Sequence, residues 1–244
     1  IFKDAYVDTA IFVLQKTEPL TGHTVLTYTY GKRDRLQKVD LSDADYNRVV
    51  QVDWAASEDK KFVLDANSMR ILAKLRDNHS NKFSDVIRIK RGVLFDKKWL
   101  TPTKKGKLSH PYFEGDVYRY QVNTIAQNWI EFGENMKERP REFDWFEGPR
   151  LLLRRLVNRR QRLMASYVTD AFITNKNLYS VLPVSDQVSL LAVLGILNSR
   201  LVSYLYINQV SQATKDDFPQ VTIKDVSVLP FPHLSSDAQK QLFQ

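Results

Sequence analysis

Cysteine is absent from the chain, and this excludes a disulfide framework, a cysteine-based zinc site and a thiol nucleophile. The eight glycines form no glycine-rich loop of the kind that cradles nucleotide phosphates. The four histidines, His23, His79, His110 and His233, lie far apart and are not spaced as metal ligands. No serine lies in a nucleophile-elbow context. We therefore expect no metal site, no cofactor in this chain and no catalysis by this chain alone.

Uninterrupted hydrophobic segments are missing as well. The longest apolar stretch, residues 190–207, carries Asn198 and Arg200 at its middle. Both groups are costly at the centre of a bilayer, which favours a buried helix over a membrane span. The first 16 residues lack the organisation of a signal peptide. We expect a cytoplasmic protein with no membrane partner and, since the sequence does not begin with methionine, a fragment of a longer protein.

The 244 residues are ordinary globular material, with 43% hydrophobic and 26% charged side chains. The net charge is +8, and it is concentrated in one part of the chain. Residues 82–165 hold 19 Lys and Arg against 10 Asp and Glu, whereas the remaining residues hold 17 against 18. A concentrated basic surface is typical of proteins that bind nucleic acid, because neutralising phosphates releases counterions.

The segment 146–163 is rich in positive charge. Six arginines lie in it, and no acid follows Glu147: Arg150, Arg154, Arg155, Arg159, Arg160 and Arg162. A planar guanidinium suits phosphate oxygens or the edge of guanine. Two interpretations are open, a solvated basic face above a core strand and one wall of a nucleic-acid cleft. The second requires the basic groups of the middle third to converge on one concave surface.

Hydrophobic periodicity predicts a mixture of strands and helices. Alternating and β-branched residues predict strands over residues 5–16, 24–30, 82–95 around Gly92, 117–120, 129–130, 151–157, 166–181 around a turn at 175–177, and 220–228. The first two are expected to form a hairpin, and residues 114–116 to form a turn. Helical spacing predicts helices over residues 40–50, 67–77 and 189–208, with a helix as the alternative for 152–164. Residues 53–61 are predicted to be a linker and 96–111 a loop.

The candidate nucleic-acid contacts fall into groups by chemistry. Flexible ammonium groups suit phosphates: Lys97, Lys98, Lys104, Lys105 and Lys107. Guanidiniums suit base edges: Arg119, Arg150, Arg154 and Arg155, with Arg159 and Arg160 on the same surface. Rings that could stack on sugar or base are Trp99, Tyr112 and Tyr118. Core filling is the favoured alternative for Tyr118 and Tyr120. In a strand, Arg154 and Arg155 would lie on opposite faces, so that one of them would be structural.

Six short motifs occur in a characteristic order. They are IKRGV (89–93), YFEGDVYRY (112–120), FEGPRLLLRR (146–155), TNKNLYSVLP (174–183), LLAVLGILNSRL (190–201) and VLPFP (228–232). Their order resembles the TaqI-like C-terminal specificity domain of type IIG restriction-modification enzymes and related adenine-specific DNA methyltransferases. It is also similar to the target-recognition domains of type I specificity subunits.

The resemblance implies an α+β target-recognition domain with a mostly antiparallel, twisted sheet and a few helices, over residues 57–244. Residues 1–56 would be the C-terminal strands of a methyltransferase domain. The partner would be double-stranded DNA, held for an upstream methyltransferase domain that uses S-adenosylmethionine. The Asn/Asp-Pro-Pro-aromatic motif of such a catalytic domain is missing here.

Three alternatives remain open from the sequence. The chain could be a stand-alone specificity subunit of the type I kind, or an RNA-binding module that stacks bases on aromatic rings. A third alternative is a metal-dependent nuclease that uses Asp53, Glu58 and Lys60. The recognised bases and the oligomeric state do not follow from the sequence.

Overall fold

The computed structural model describes residues 10–29, 42, 45–56, 62–78, 81–157, 161–209 and 220–235. Within these ranges the strands are β1 (Thr24–Thr27), β2 (Asn47–Val50), β3 (Ile87–Arg91), β4 (Leu94–Phe95), β5 (Ser109–Val117), β6 (Val122–Glu131), β7 (Met136–Glu138), β8 (Arg150–Arg154), β9 (Ala165–Val168) and β10 (Leu178–Pro183). The helices are α1 (Gln51–Ala56), α2 (Ala66–Asn78), α3 (Phe83–Val86), α4 (Leu190–Leu197), α5 (Arg200–Gln209) and α6 (Ile223–Ser227). Two 3-10 helices span Lys97–Trp99 and Phe143–Phe146.

A four-stranded antiparallel sheet, in the order β3-β10-β8-β9, forms the centre of the fold. Leu151, Leu152 and Leu153 of β8 are all fully buried. Because side chains alternate along a strand, Leu151 and Leu153 join the core made with the helices, whereas Leu152 packs on the other face. The α+β class, the antiparallel sheet and the strand at these leucines are therefore confirmed.

The other face of this sheet is covered by a long hairpin formed by β5 and β6. Phe113 and Val117 of the hairpin pack on Leu152. Its pairing runs from Ser109 opposite Glu131 to Val117 opposite Val122. A second apolar cluster, which includes Ile130, fills the space beneath β4 and β7. The hairpin is thus held by two apolar clusters, and its turn at residues 118–121 extends beyond both.

The hairpin corrects two expectations. The Gly-Asp pair at 115–116 lies inside β5, where the register shifts between Glu114 and Gly115, and the turn follows at 118–121. A Cβ atom on Gly115 would lie 2.1 Å from the carbonyl oxygen of Asn123. The glycine is therefore required by a close backbone approach, and the predicted strand over 117–120 is wrong.

The predicted helix over 189–208 is two helices, α4 and α5, bent by 60° at a break around Asn198. The Asn198 side chain accepts a hydrogen bond from the Ala165 amide (2.8 Å) and donates one to the Ala165 carbonyl (2.9 Å). Ser199 caps α5 by accepting from the amide of Val202 at 3.0 Å. Among the described helices, none is by itself long and apolar enough to cross a membrane; α4 and α5 meet that criterion only as this bent pair.

The N-terminal part differs from the expectation in three places. Residues 10–16, the described part of the predicted first strand, form no strand, and Val13 is 96% exposed. Strand β1 pairs with β2 instead, so the predicted helix over 40–50 is wrong at 47–50. Helix α1 replaces the first half of the predicted linker, and its Trp54 packs in the same core as Leu72 of α2. Helix α2 and its buried face agree with the prediction. The domain boundary after residue 56 stays a prediction.

The last predicted strand, 220–228, is mostly helix α6. Thr222 caps this helix by accepting a hydrogen bond from the amide of Asp225 at 3.1 Å. Gln220 retains a single bridge to Leu156. A capping residue three positions before an acid is a helix-start signal, and it outweighs the β-branched composition here.

Gly92 offers a direct test of this packing. A Cβ atom there would lie 2.2 Å from the carbonyl oxygen of Asn175 and 2.5 Å from that of Thr174. We expect Gly92→Ala to lower the free energy of unfolding by about 2–3 kcal/mol, because backbone must shift to make room. The measurement is equilibrium unfolding in urea.

The matched control is Gly195→Ala in α4, where an added Cβ meets nothing within 4 Å. This change should stabilise the protein by about 0.5–1 kcal/mol, since alanine favours a helix. Equal unfolding midpoints for Gly92→Ala and the wild type would contradict the close approach at Gly92.

Candidate nucleic-acid interface

Residues 97–107, the lysine loop, carry the densest exposed positive charge that the structure describes. All five lysines and Trp99 are exposed, and the Lys98 ammonium lies 5.4 Å from the centre of the Trp99 ring. The adjoining Asp96 forms its ion pair with Lys137 of β7 at 2.8 Å and not with a lysine of the loop, although its charge also acts on Lys98. The hydrogen bond from Lys137 lowers the pKa of Asp96. The lysines are therefore available to an external anion.

The lysine loop is anchored on the hairpin. The backbone of Thr101 makes two hydrogen bonds with that of Trp129, at 2.8 and 2.9 Å. The Lys104 ammonium lies 5.7 Å from the centre of the Trp129 ring, and the Phe132 amide donates to the Leu108 carbonyl at 3.0 Å. The loop thus presents its lysines from a fixed backbone, which reduces the ordering cost of binding.

His110 lies beside the lysine loop and stacks on Phe143, with 3.8 Å between ring centres. Burial and then the charge of Lys104 lower its pKa, whereas Glu147 opposes this. The imidazole is therefore neutral at pH 7 and adds no positive charge. Within the described ranges, no group of three or more His, Asp or Glu side chains is placed to hold a metal ion.

Arg150 is fully buried, and its assignment to DNA contacts is corrected. Its guanidinium donates to the carbonyls of Gly148 (3.0 Å), Asp170 (2.8 Å) and Phe172 (3.3 Å). The Phe172 ring lies 4.6 Å from it. Burial lowers the pKa of Arg150 to about 10, opposed by the charges of Asp170 and Glu147. At neutral pH it is an internal cation that ties β8 to the segment after β9.

The tyrosines expected to be exposed and those expected to be buried are reversed in the structure. Tyr112 is 8% exposed, packs edge-on against Phe95 and bonds to Asn175. It is a core residue, and its assignment to DNA contacts is corrected. Tyr118 and Tyr120 are 43% and 52% exposed, so their core-filling interpretation is wrong. The cause is the shifted turn, which places these two residues at the tip of the hairpin.

The other candidate arginines also divide into residues with protein partners and an exposed residue. Arg154 forms an ion pair with Asp116 at 3.0 Å, and Arg155 donates to the side chain of Gln220 at 2.8 Å. Both are half-buried and make protein contacts. Arg119 is exposed in the hairpin turn, with its guanidinium 5.3 Å from the Tyr120 ring. Arg159 and Arg160 lie outside the described residues.

The arginines of residues 150–155 contact partners within the protein. This segment therefore does not form the single concave basic surface that was expected. Sequence reasoning also missed two exposed cations on β3. Arg88 lies 5.4 Å from the centre of the Trp145 ring, and Lys90 is its neighbour on the same face. The alternation of Ile87 and Ile89 with these two residues was the signal that could have found them.

A structural role for Arg150 predicts a loss of stability on substitution. We expect Arg150→Met to lower the free energy of unfolding by about 3 kcal/mol, because three carbonyls would lose a buried donor. The matched control is Arg119→Met, which removes an exposed guanidinium and should change stability by less than about 0.5 kcal/mol. Equal urea midpoints for both variants would contradict the internal role of Arg150.

Comparison with known proteins identifies the family. The sequence model of the TaqI-like C-terminal specificity domain matches residues 110–231, which is half of the chain. A protein of Methanocaldococcus jannaschii, named as a type II restriction enzyme and methyltransferase, is 30% identical over 238 residues. That match covers 94% of this chain but 20% of the relative, so the chain spans about a fifth of that protein.

Solved structures of type I restriction-modification proteins are also similar. The HsdS subunit from Thermoanaerobacter tengcongensis has 14% identity and a TM-score of 0.39, covering 72% of this chain and 41% of its own. The S subunit from M. genitalium has 12% identity and a TM-score of 0.39, covering 78% and 42%. From the match over residues 110–231, the chain belongs to the family of TaqI-like C-terminal specificity domains.

Proposed function

We propose that this chain recognises a short sequence in duplex DNA and positions the duplex for an upstream domain that methylates adenine. The family and the relative named as a restriction enzyme and methyltransferase support a role in restriction-modification. The whole protein would be cytoplasmic. The recognition surface would comprise the lysine loop and the exposed turn of the hairpin.

The observation that carries the proposal is the exposed positive charge of the lysine loop. Five lysines occur in residues 97–107 with no acidic residue among them, and all five side chains are exposed. Ammonium groups on a flexible stem are suited to phosphates, which set the register of a protein on a duplex. Trp99, 45% exposed beside Lys98, adds an apolar surface for sugar or base.

S-adenosylmethionine does not fit the residues described in this chain. Its usual site needs a glycine-rich turn after a strand, but Gly92 and Gly115 are each closed off by backbone carbonyls at 2.2 and 2.1 Å from an added Cβ. The methyl donor would therefore be bound by the proposed upstream domain. This chain would contribute binding and orientation of the DNA, and it would transfer no methyl group alone.

Two alternatives remain as outcomes of the test. A stand-alone specificity subunit would bind the same duplex but would have no catalytic domain in its own polypeptide. An RNA-binding module would prefer single-stranded RNA. The nuclease alternative depends in part on Glu58 and Lys60, which lie outside the described residues.

Substitution of the lysine loop should weaken DNA binding and its dependence on salt. For the variant with Lys104→Gln, Lys105→Gln and Lys107→Gln, we expect affinity for duplex DNA at 0.1 M salt to fall by about 100-fold or more. The slope of log K against log salt should shrink by about 2–3, because each lost phosphate contact contributes about 0.9. Fluorescence anisotropy from 50 to 200 mM salt measures both quantities.

The matched control replaces three exposed lysines elsewhere, Lys16, Lys74 and Lys224, by glutamine. It has the same net charge as the test variant and should bind almost as the wild type does. Duplex DNA and single-stranded RNA are competed in the same assay. Equal weakening by both triple variants, or a preference for the RNA, would refute the proposal.

A further inference from the structure

We propose that Arg119, Arg162 and Arg200 form a second phosphate-binding site, which takes a backbone phosphate of the same DNA duplex at the end of the hairpin opposite the lysine loop. The inference rests on the proposed function and deepens it. It assigns Arg119 to the DNA backbone instead of a base edge. It also adds two arginines that lie far from Arg119 in the sequence.

A single carbonyl group links the two segments that carry Arg119 and Arg200. The carbonyl of Ala165, the first residue of β9, accepts from the backbone amide of Tyr120 at 2.9 Å and from the side chain of Asn198 at 2.9 Å. The hairpin turn, which carries Arg119, therefore lies next to the break between α4 and α5. Arg200 is two residues beyond that break, at the first position of α5.

Arg162 is held at the same junction by hydrogen bonds to Asn198 and Ser203. Its guanidinium donates to the carbonyl of Asn198 at 2.7 Å and to the hydroxyl of Ser203 at 3.2 Å. The same Ser203 hydroxyl accepts from the amide of Leu163 at 3.2 Å. These bonds fix the side chain at the junction. An arginine oriented in this way has less freedom to lose when an anion binds.

The electrostatics agree with this geometry. The pKa of Arg162 is lowered first by desolvation and then by the positive charges of Arg119 and Arg200, whereas Tyr120 opposes the shift. Arg119 and Arg200 are exposed, and neither forms an ion pair within the described part of the chain. The positive charges of Arg119 and Arg200 therefore act on Arg162, and a phosphate bound among them would offset that repulsion. A base edge, by contrast, occupies one guanidinium.

The length of the hairpin sets the separation of the two sites. The lysine loop leads into Ser109 at the open end of β5, and the turn follows Val117 at the other end. The nine residues of this strand span about 26 Å at roughly 3.3 Å per residue. Along the axis of a duplex this corresponds to about 8 base pairs at roughly 3.4 Å each. Both ends of the hairpin can therefore contact one duplex.

The first test measures DNA affinity and its salt dependence for the double variant Arg119→Gln and Arg200→Gln. We expect affinity at 0.1 M salt to fall about tenfold, with a salt slope smaller by about one, as for one lost phosphate contact. The loss should be equal for cognate and unrelated duplexes. The control is Arg48→Gln with Arg70→Gln, two exposed arginines on β2 and α2, which should leave the slope unchanged.

The second test locates the contact by ethylating phosphates in the duplex and selecting the DNA that still binds. The wild type should show two groups of sensitive phosphates, separated by about 8 base pairs along the duplex. The arginine double variant should lose sensitivity at one group. The Lys104, Lys105 and Lys107 glutamine variant should lose it at the other.

The two proposals fail in different ways. If the wild type does not bind duplex DNA, the proposed function falls and this inference falls with it. If the wild type binds with a steep salt dependence but the arginine variant keeps its slope and its sensitive phosphates, the second site alone is refuted. A loss confined to the cognate duplex would return Arg119 to a base-reading role and would also refute the phosphate site.

Discussion

The structure depends on a central strand that is buried on both faces. Leu151, Leu152 and Leu153 of β8 are fully enclosed, by the helices on one side and the hairpin on the other. Polar groups at the ends of such a strand must find partners inside the protein, because an unpaired buried charge is costly. Arg150 and Arg154 do so, through backbone carbonyls and Asp116. The leucine core therefore determines that Arg150 faces inward and that Arg154 pairs with the hairpin.

A single asparagine couples the helical layer to the edge of that sheet. Asn198 pairs with both backbone groups of Ala165, much as a neighbouring strand would, and the chain bends by 60° there. This pairing explains why a polar residue interrupts an otherwise apolar helical segment. It also places the start of α5 beside the hairpin turn, because Tyr120 bonds to the same carbonyl. A structural contact at the edge of the sheet thus assembles the basic residues Arg119, Arg162 and Arg200.

The positive charge of the middle third is divided between internal and external roles. The lysine loop and Arg119 are exposed, whereas Arg150 is enclosed and Arg91 forms an ion pair with Glu138. Charge density along a sequence therefore overstates the charge available to a ligand. The lysine loop and Arg119 lie at the two ends of one hairpin, and the hairpin's length fixes the spacing between them. Two groups of positive charge held at a fixed spacing suit a regular polyanion better than they suit a small ligand.

Local chemistry in the sequence determined the central strand at 151–153, helix α2, the turn at 175–177, the exposed lysine loop and the order of family motifs, because each depends on neighbouring residues. Tertiary structure decided the rest. Gly115 resembles a turn glycine, but its close approach to Asn123 is a contact between strands. Whether Tyr112 or Tyr118 is buried depended on that one shift of the turn. The inward direction of Arg150 and the placement of Arg119 and Arg200 near Arg162 depend on residues distant in sequence, which the packing of the core brings together.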